Sequence, residues 1–311
     1  MEKTIDVEKI IERLSNVATR KNNLTEIKED MKYIGETQRT FTDPDCRGMM
    51  NNGKAEPCYN VQSLVDGKNK LIVDCVATND INDLSQLTNL TIKNKIKEGT
   101  IVLADKGYFN MEQIIECSKL GMNLYIARPR QNVNKKDANY QKDKFKYDNI
   151  KDQYICPMGK ILKYAKKDSE NGITGKRYRS NDCNDCQNKI KCTDAKKGKT
   201  LFRREDDDIV LNVIKRTIDN PRIYKLRKGI VEHPFGTMKR HMGYTYFNRK
   251  GLANVNAEAS SFCIAYNLKR LINILGVQEI IERINKNKSD LSSLFSFEQY
   301  YSMKCYILNK S

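Results

Sequence analysis

The chain has 311 residues, enough to bury a core in one large domain or two ordinary ones. Its 56 Lys and Arg outnumber 39 Asp and Glu, a net charge of +17 that points to a polyanionic partner, nucleic acid first. A Lys- and Asn-rich composition drawn from an AT-rich genome is the other source such a charge can have. No run approaches the roughly 18 apolar residues of a membrane span, and Met1 to Asp6 lack the apolar centre of a secretory signal, so no membrane partner is expected and the expected location is cytoplasmic. Thiols stay reduced there, so the 10 cysteines read as metal ligands or buried side chains rather than a disulfide framework.

Ile5, Val7, Ile10, Ile11, Leu14 and Val17, then Leu24, Ile27 and Met31, recur at helical spacing, which predicts one or two amphipathic helices serving as a connector over residues 1–36. A strand is predicted from Gln38 to Asp43. Two more follow at Cys58 to Asp66 and Lys70 to Ala77, joined by the hairpin-type link Asp66-Gly67-Lys68-Asn69. Ile81, Leu84, Leu87, Leu90, Ile92 and Ile96 predict a helix between Asp80 and Glu98. Ile101 to Ala104 reads as a short buried strand ending at Asp105, residues 110–120 as a helix closed by Gly121, and Met122 to Ala127 as the next strand.

Antiparallel strands followed by helix, strand, helix and strand predict an α/β fold, a mixed sheet flanked by helices in RNase H-like order. Residues 128–205, polar and holding four of the cysteines, break that pattern and read as an insertion before the helix that carries Glu232. Residues 207–218 and 222–242 read as helices parted by Asn220-Pro221, and a further helix ends at Gly276. The expected division is a catalytic domain over 37–127 and 206–276, the insertion over 128–205, and a C-terminal helix and tail over 277–311.

Asp43, in Thr42-Asp43-Pro44-Asp45, and Asp105, in Ala104-Asp105-Lys106-Gly107-Tyr108, each follow a predicted strand, and strand ends commonly line the ligand crevice of an α/β sheet. Glu232, in Ile230-Val231-Glu232-His233-Pro234-Phe235-Gly236-Thr237-Met238-Lys239-Arg240, would join them from a helix. Three such carboxylates suit a pair of Mg²⁺ ions about 4 Å apart acting on phosphates. Asp45 competes with Asp43 for the first position, and Asp66, Asp74 and Asp80 are weaker rivals. A turn or helix cap is the plainer role for any one of these aspartates. Lys228 and Lys239, one turn before and two turns after Glu232, share its face, and with Arg227 and Arg240 they are candidate DNA-phosphate contacts. A solvated face of ion pairs is the alternative.

Cys156, Cys183, Cys186 and Cys192 include a CxxC pair suited to one side of a tetrahedral Zn²⁺, with reduced structural thiols as the alternative. Lys160, Lys163, Lys166, Lys167, Lys189 and Lys191 surround them, as a DNA-contacting segment would. Cys75 and Cys263 fall on apolar faces.

Taken together, Thr42 to Asp45, Gly53 through Tyr59-Asn60-Val61-Gln62 to Asp66, Ala104 to Tyr108, Ile230 to Lys239, and Glu258 with Ala265-Tyr266-Asn267-Leu268-Lys269-Arg270 resemble the DDE transposases of bacterial insertion sequences. The resemblance is to the broad group named after insertion sequence four, in its eleven-eighty-two branch, and covers about residues 36–275. It implies an RNase H-like fold, a magnesium-dependent triad at Asp43, Asp105 and Glu232, and cut-and-paste movement of DNA. The partners it implies are transposon ends and target DNA, with copies of the chain assembling on them. A related signature sets Tyr, two residues, Arg, three residues, Glu, six residues and Lys. Here Glu232 and Lys239 obey it, while Tyr224 and Arg227 sit one residue too far upstream, which leaves Lys228 as a second candidate for the Arg role. The 42 residues ahead of Asp43 are fewer than the family's usual DNA-binding region, as in the catalytic part of a larger transposase.

Overall fold

The computed structural model describes residues 7–51, 53–129, 138–170, 172–286 and 300–310. The first six residues of the expected connector, residues 130–137 of the expected insertion, and residues 287–299 and 311 of the expected tail lie outside the described residues.

The chain enters through a single helix, α1 (Val7–Ile34), whose Val17 and Leu24 stay exposed. The expected strand from Gln38 to Asp43 does not form. The Thr40 hydroxyl donates to the Asp43 carbonyl, and Asp43 precedes a proline, so the segment turns back on itself as a loop. The first strand comes later, as β1 (Arg47–Asn51), and pairs antiparallel with β2 (Lys54–Asp66). Gly53, at φ +83°, supplies the left-handed backbone between them. The second hairpin leads to β3 (Ile72–Thr78), with Asp66 Oδ2 accepting from the Asn69 amide at 2.6 Å.

Helix α2 (Gln86–Lys93) is shorter than its apolar spacing predicts. Ahead of it, Thr78 and Asn82 side chains accept from the amides of Asp80 and Leu84, offering the backbone an alternative to the helix. Then follow β4 (Ile101–Ala104), α3 (Met111–Lys119) and β5 (Asn123–Ile126), close to the expected bounds.

Where the expected insertion lies, β6 (Lys146–Asp148), β7 (Gln153–Ile155), β8 (Ile161–Glu170), β9 (Ile173–Arg179), the short α4 (Lys189–Cys192) and β10 (Thr200–Arg204) build a second sheet. Its order is β10-β9-β8-β7-β6, antiparallel throughout. Helices α5 (Asp207–Asp219) and α6 (Pro221–His241) meet at Asn220-Pro221, where a proline at the first helical position starts α6 without costing a hydrogen bond. After β11 (Tyr246–Phe247) come α7 (Leu252–Leu275), α8 (Val277–Lys286) and β12 (Tyr300–Lys310).

The first sheet is mixed and runs β1-β2-β12-β4-β5, with β3 on the other side of β2 and β11 beside β12. Strand β12 is antiparallel to β2 and parallel to β4. Alternation along the strands sends Val61, Val65 and Leu103 to one face, against Val231, Phe235 and Met238 of α6 and Val255, Ala259 and Tyr266 of α7. Leu64, Val102 and Ala104 go to the other face, against Leu87 and Leu90 of α2, Ile114 of α3 and Val210 and Val213 of α5. The result is a mixed α/β architecture with helices packed on both faces of the sheet, which explains why the second half of β2 is buried on both sides.

Helix α7 also closes the outer edge of β3. Asn256 accepts from the Ala77 amide and donates to its carbonyl, and Asn267 does the same at Ile72, all four bonds between 2.8 and 2.9 Å.

Candidate active site and cysteine cluster

Asp105 ends β4 and caps the tight turn Lys106–Tyr108, its Oδ1 accepting from the Lys106 amide at 2.6 Å. Its Oδ2 lies 3.2 Å from Nη1 of Arg227 on α6. Arg227 is buried, stacks over the Tyr224 ring at 5.4 Å, and has a buried Nε without a hydrogen-bond partner among the described residues. Burial pushes the Tyr224 hydroxyl above its ordinary range. The expected phosphate contact at Arg227 is therefore turned inward onto Asp105, while Lys228 and Arg240 are exposed and Lys239 half-buried.

Behind the Asp105 turn stands a polar network. Asn60 and Gln62, two residues apart on β2 and so on one face, both donate to Asp83 Oδ1, at 2.9 and 2.8 Å. The Tyr108 hydroxyl donates to Gln62 Oε1. A Cβ on Gly107 would meet Asp83 Oδ2 at 2.6 Å, so a side chain here would push the carboxylate out of this network. Asp83 and Gln62 were not among the candidate residues. Two amide side chains on the same face of a strand that is buried on both sides were the available signal.

Asp43 sits elsewhere in kind. It is 1 % exposed, and its Oδ1 accepts from the Tyr59 hydroxyl at 2.9 Å and from the Gly251 amide at 3.2 Å. Asp45 Oδ2 accepts from the Leu252 amide at 2.8 Å. The two aspartates thus close over the start of α7, where a carboxylate meets unpaired amides and the positive end of the helix dipole. Burial, and then Asp43, push the Tyr59 hydroxyl far above its ordinary range.

Glu232 is exposed on α6. Five residues of helix separate it from Arg227, a rotation of about 140° around the axis, whereas Val231, about 40° away, is fully buried in the core. The one-residue offset in the Tyr-Arg-Glu spacing has this physical meaning. Among the described residues, no group of three or more His, Cys, Asp or Glu side chains stands in metal-holding geometry.

Between α6 and α7 a cleft of about 260 Å³ is lined by His233, His241, Lys269 and Arg270. His233 Nδ1 lies 3.0 Å from the Tyr266 hydroxyl, and burial, with the charges of Arg270 and Lys70, lowers its pKa.

The four expected cysteine ligands border one cavity, without standing in metal-holding geometry among the described residues. Cys156 from the end of β7, Cys183 and Cys186 from the loop after β9, and Cys192 from α4 line one cavity of about 20 Å³. Burial pushes the Cys192 thiol up, and the proximity of Cys183, Cys156 and Cys186 adds to it. Cys263 is buried in the main core and Cys75 is packed against it.

Residues 155–272 match the family model described as a transposase DDE domain. The matched stretch contains the four cysteines, Arg227, Glu232 and Lys239, and supports a DDE transposase. No curated protein and no solved structure gives a match to the chain. Among the described residues no helix is long and apolar enough to cross a membrane.

Proposed function

We propose that the chain is the catalytic part of an insertion-sequence transposase that cuts and joins DNA strands, on an RNase H-like sheet, as a member of the group of insertion sequence four and its eleven-eighty-two branch. The match of residues 155–272 to a transposase DDE domain carries this reading. A net charge of +17 suits a substrate whose phosphates dominate binding.

The carboxylates we assign to the reaction are Asp105, Glu232 and Asp43. Asp105 and Glu232 offer hard oxygen donors that solvent reaches, the donor type Mg²⁺ takes. Asp43 fits a metal less well, since its Oδ1 is committed to Tyr59 and Gly251 in a site closed to water. When bound, Mg²⁺ would supply a Lewis acid for phosphate oxygens and an activated water. The protein's own contribution is placement: the Asn60-Gln62-Asp83 network fixes the Asp105 turn, and Arg227 offsets its charge. Lys228, Lys239 and Arg240 would hold DNA phosphates along α6. Several copies of the chain would assemble on the transposon ends and target.

The Arg227–Asp105 ion pair and the closed setting of Asp43 favour one other reading, a DNA-binding remnant of a transposase without cleavage. Incubation with DNA carrying the element's own ends, in Mg²⁺ or Mn²⁺, separates the two. Cleavage that disappears in Asp105→Ala supports the catalytic reading. Binding without metal-dependent cleavage overturns it.

A further inference from the structure

The second sheet has a core too small for its size. Phe145, Tyr154, Leu162, Tyr178 and Leu201 are its buried apolar residues, with Tyr147, Cys156 and Cys192 packed against them. Units with so little apolar burial usually need a staple, either disulfides or a structural metal. Two of the side chains completing this core are thiols.

The other two thiols, Cys183 and Cys186, border the same space. A cavity of about 20 Å³, lined by Cys156, Cys183, Cys186 and Cys192, has room for about one water-sized sphere. The backbone around it is already shaped for sulfur. The Lys160 amide donates to Cys156 Sγ at 3.2 Å, in a turn closed by bonds from Gly159 N to Cys156 O at 2.9 Å and from Cys156 N to Lys160 O at 2.8 Å. Gly198, at φ +88°, lies so close that a Cβ there would stand 2.5 Å from Cys183 Cβ and 3.0 Å from its Sγ. Lys160, Lys189 and Lys199 line the same cavity.

We infer that Cys156, Cys183, Cys186 and Cys192 form a structural zinc site that holds the second sheet together. Thiolates select soft or borderline cations, and four around one point suit tetrahedral Zn²⁺ at about 2.3 Å. Four thiols release four protons as four Zn–S bonds form, and the resulting double negative charge is offset by the three lysines. The thiols line one cavity but do not stand in closed coordination geometry among the described residues, so zinc binding would draw them inward. The site is independent of the carboxylates: it uses other donors and a softer metal, and serves folding rather than reaction.

The test is metal analysis of the full chain, expressed with zinc in the medium and purified under reductant. About one zinc per chain is expected, and titration with a mercurial should release it in step with the modification of four thiols. Cys183→Ser and Cys192→Ser should lose the zinc, while Cys75→Ser and Asp105→Ala keep it. Because a cysteine variant can fail to fold, cobalt exchange into the wild-type chain provides a second readout, with thiolate-to-metal charge-transfer absorption expected. Hydrogen exchange after chelation should deprotect β6 to β10 before β2 and β4. A folded wild-type chain without zinc, or zinc that survives Cys183→Ser, overturns the site. Neither result bears on DNA cleavage, whose own test is loss in Asp105→Ala.

Discussion

The guanidinium of Arg227 lies 3.2 Å from the carboxylate of Asp105, joining the helix that carries Glu232 to the strand end that carries Asp105. A cation in this position competes with any metal ion for the same oxygen. Arg227→Gln should therefore tighten Mn²⁺ binding several-fold, measured by calorimetric titration, since a nearby like charge is worth on the order of 1 kcal/mol at a partly exposed site. Unchanged affinity would show that Asp105 is not the metal's ligand.

Asp43 caps α7 from a buried position, so its removal should act on stability before chemistry. Asp43→Ala leaves the Gly251 amide and the Tyr59 hydroxyl unsatisfied, at a cost of about 2–4 kcal/mol. Urea denaturation measures this directly. Asp43→Asn keeps an acceptor oxygen and should cost less. Loss of DNA cleavage in Asp43→Asn at undiminished stability would instead make this carboxylate a participant in the reaction.

The second sheet should loosen in acid. Asp152 accepts from Lys176 at 2.8 Å, from Tyr147 at 2.6 Å and from Tyr178, and Lys176 leads these in lowering its pKa from 3.8 to about 2. A carboxyl group depressed on folding stabilises the fold fully above its unfolded value, and that stability is lost as pH falls through the folded one. The window is thus from about pH 4 down to about 2. Tyrosine fluorescence followed against pH in wild type and Asp152→Asn checks it: the variant should lack the step, and an identical profile would exclude Asp152 as its source.

Asn267→Leu should destabilise by about 2–4 kcal/mol, because both the amide and the carbonyl of Ile72 lose their side-chain partner at a partly buried edge. Thermal melting of the variant against Asn273→Leu, further along the same helix, gives the comparison. Equal melting temperatures would make the two bonds at Ile72 energetically silent.

Much of the main sheet is legible because its elements are apolar and periodic: β2, β4, α3, α5, α6 and α7 fall close to where spacing places them. The strand expected from Gln38 to Asp43 failed because side-chain bonds at Thr40 and Asp43 outweigh a short β-prone run. The second sheet was hidden by its composition, since strands with one small apolar face and many lysines resemble loops. In the candidate site, the motif around Asp105 was readable as a strand end, but its pairing with Arg227 was not. Periodicity gives the direction of a side chain on its own helix and leaves open which element packs opposite.

Asn256 and Asn267 lie eleven positions apart on α7, and the residues they grip on β3, Ala77 and Ile72, five apart. Eleven residues of helix and five of strand both span about 16 Å. The two elements therefore act as commensurate rulers, and both marks coincide only at one offset. Inserting a single residue between either pair would leave one end matched and the other adrift, so the length of α7 is a constraint in its own right, apart from which residues fill it.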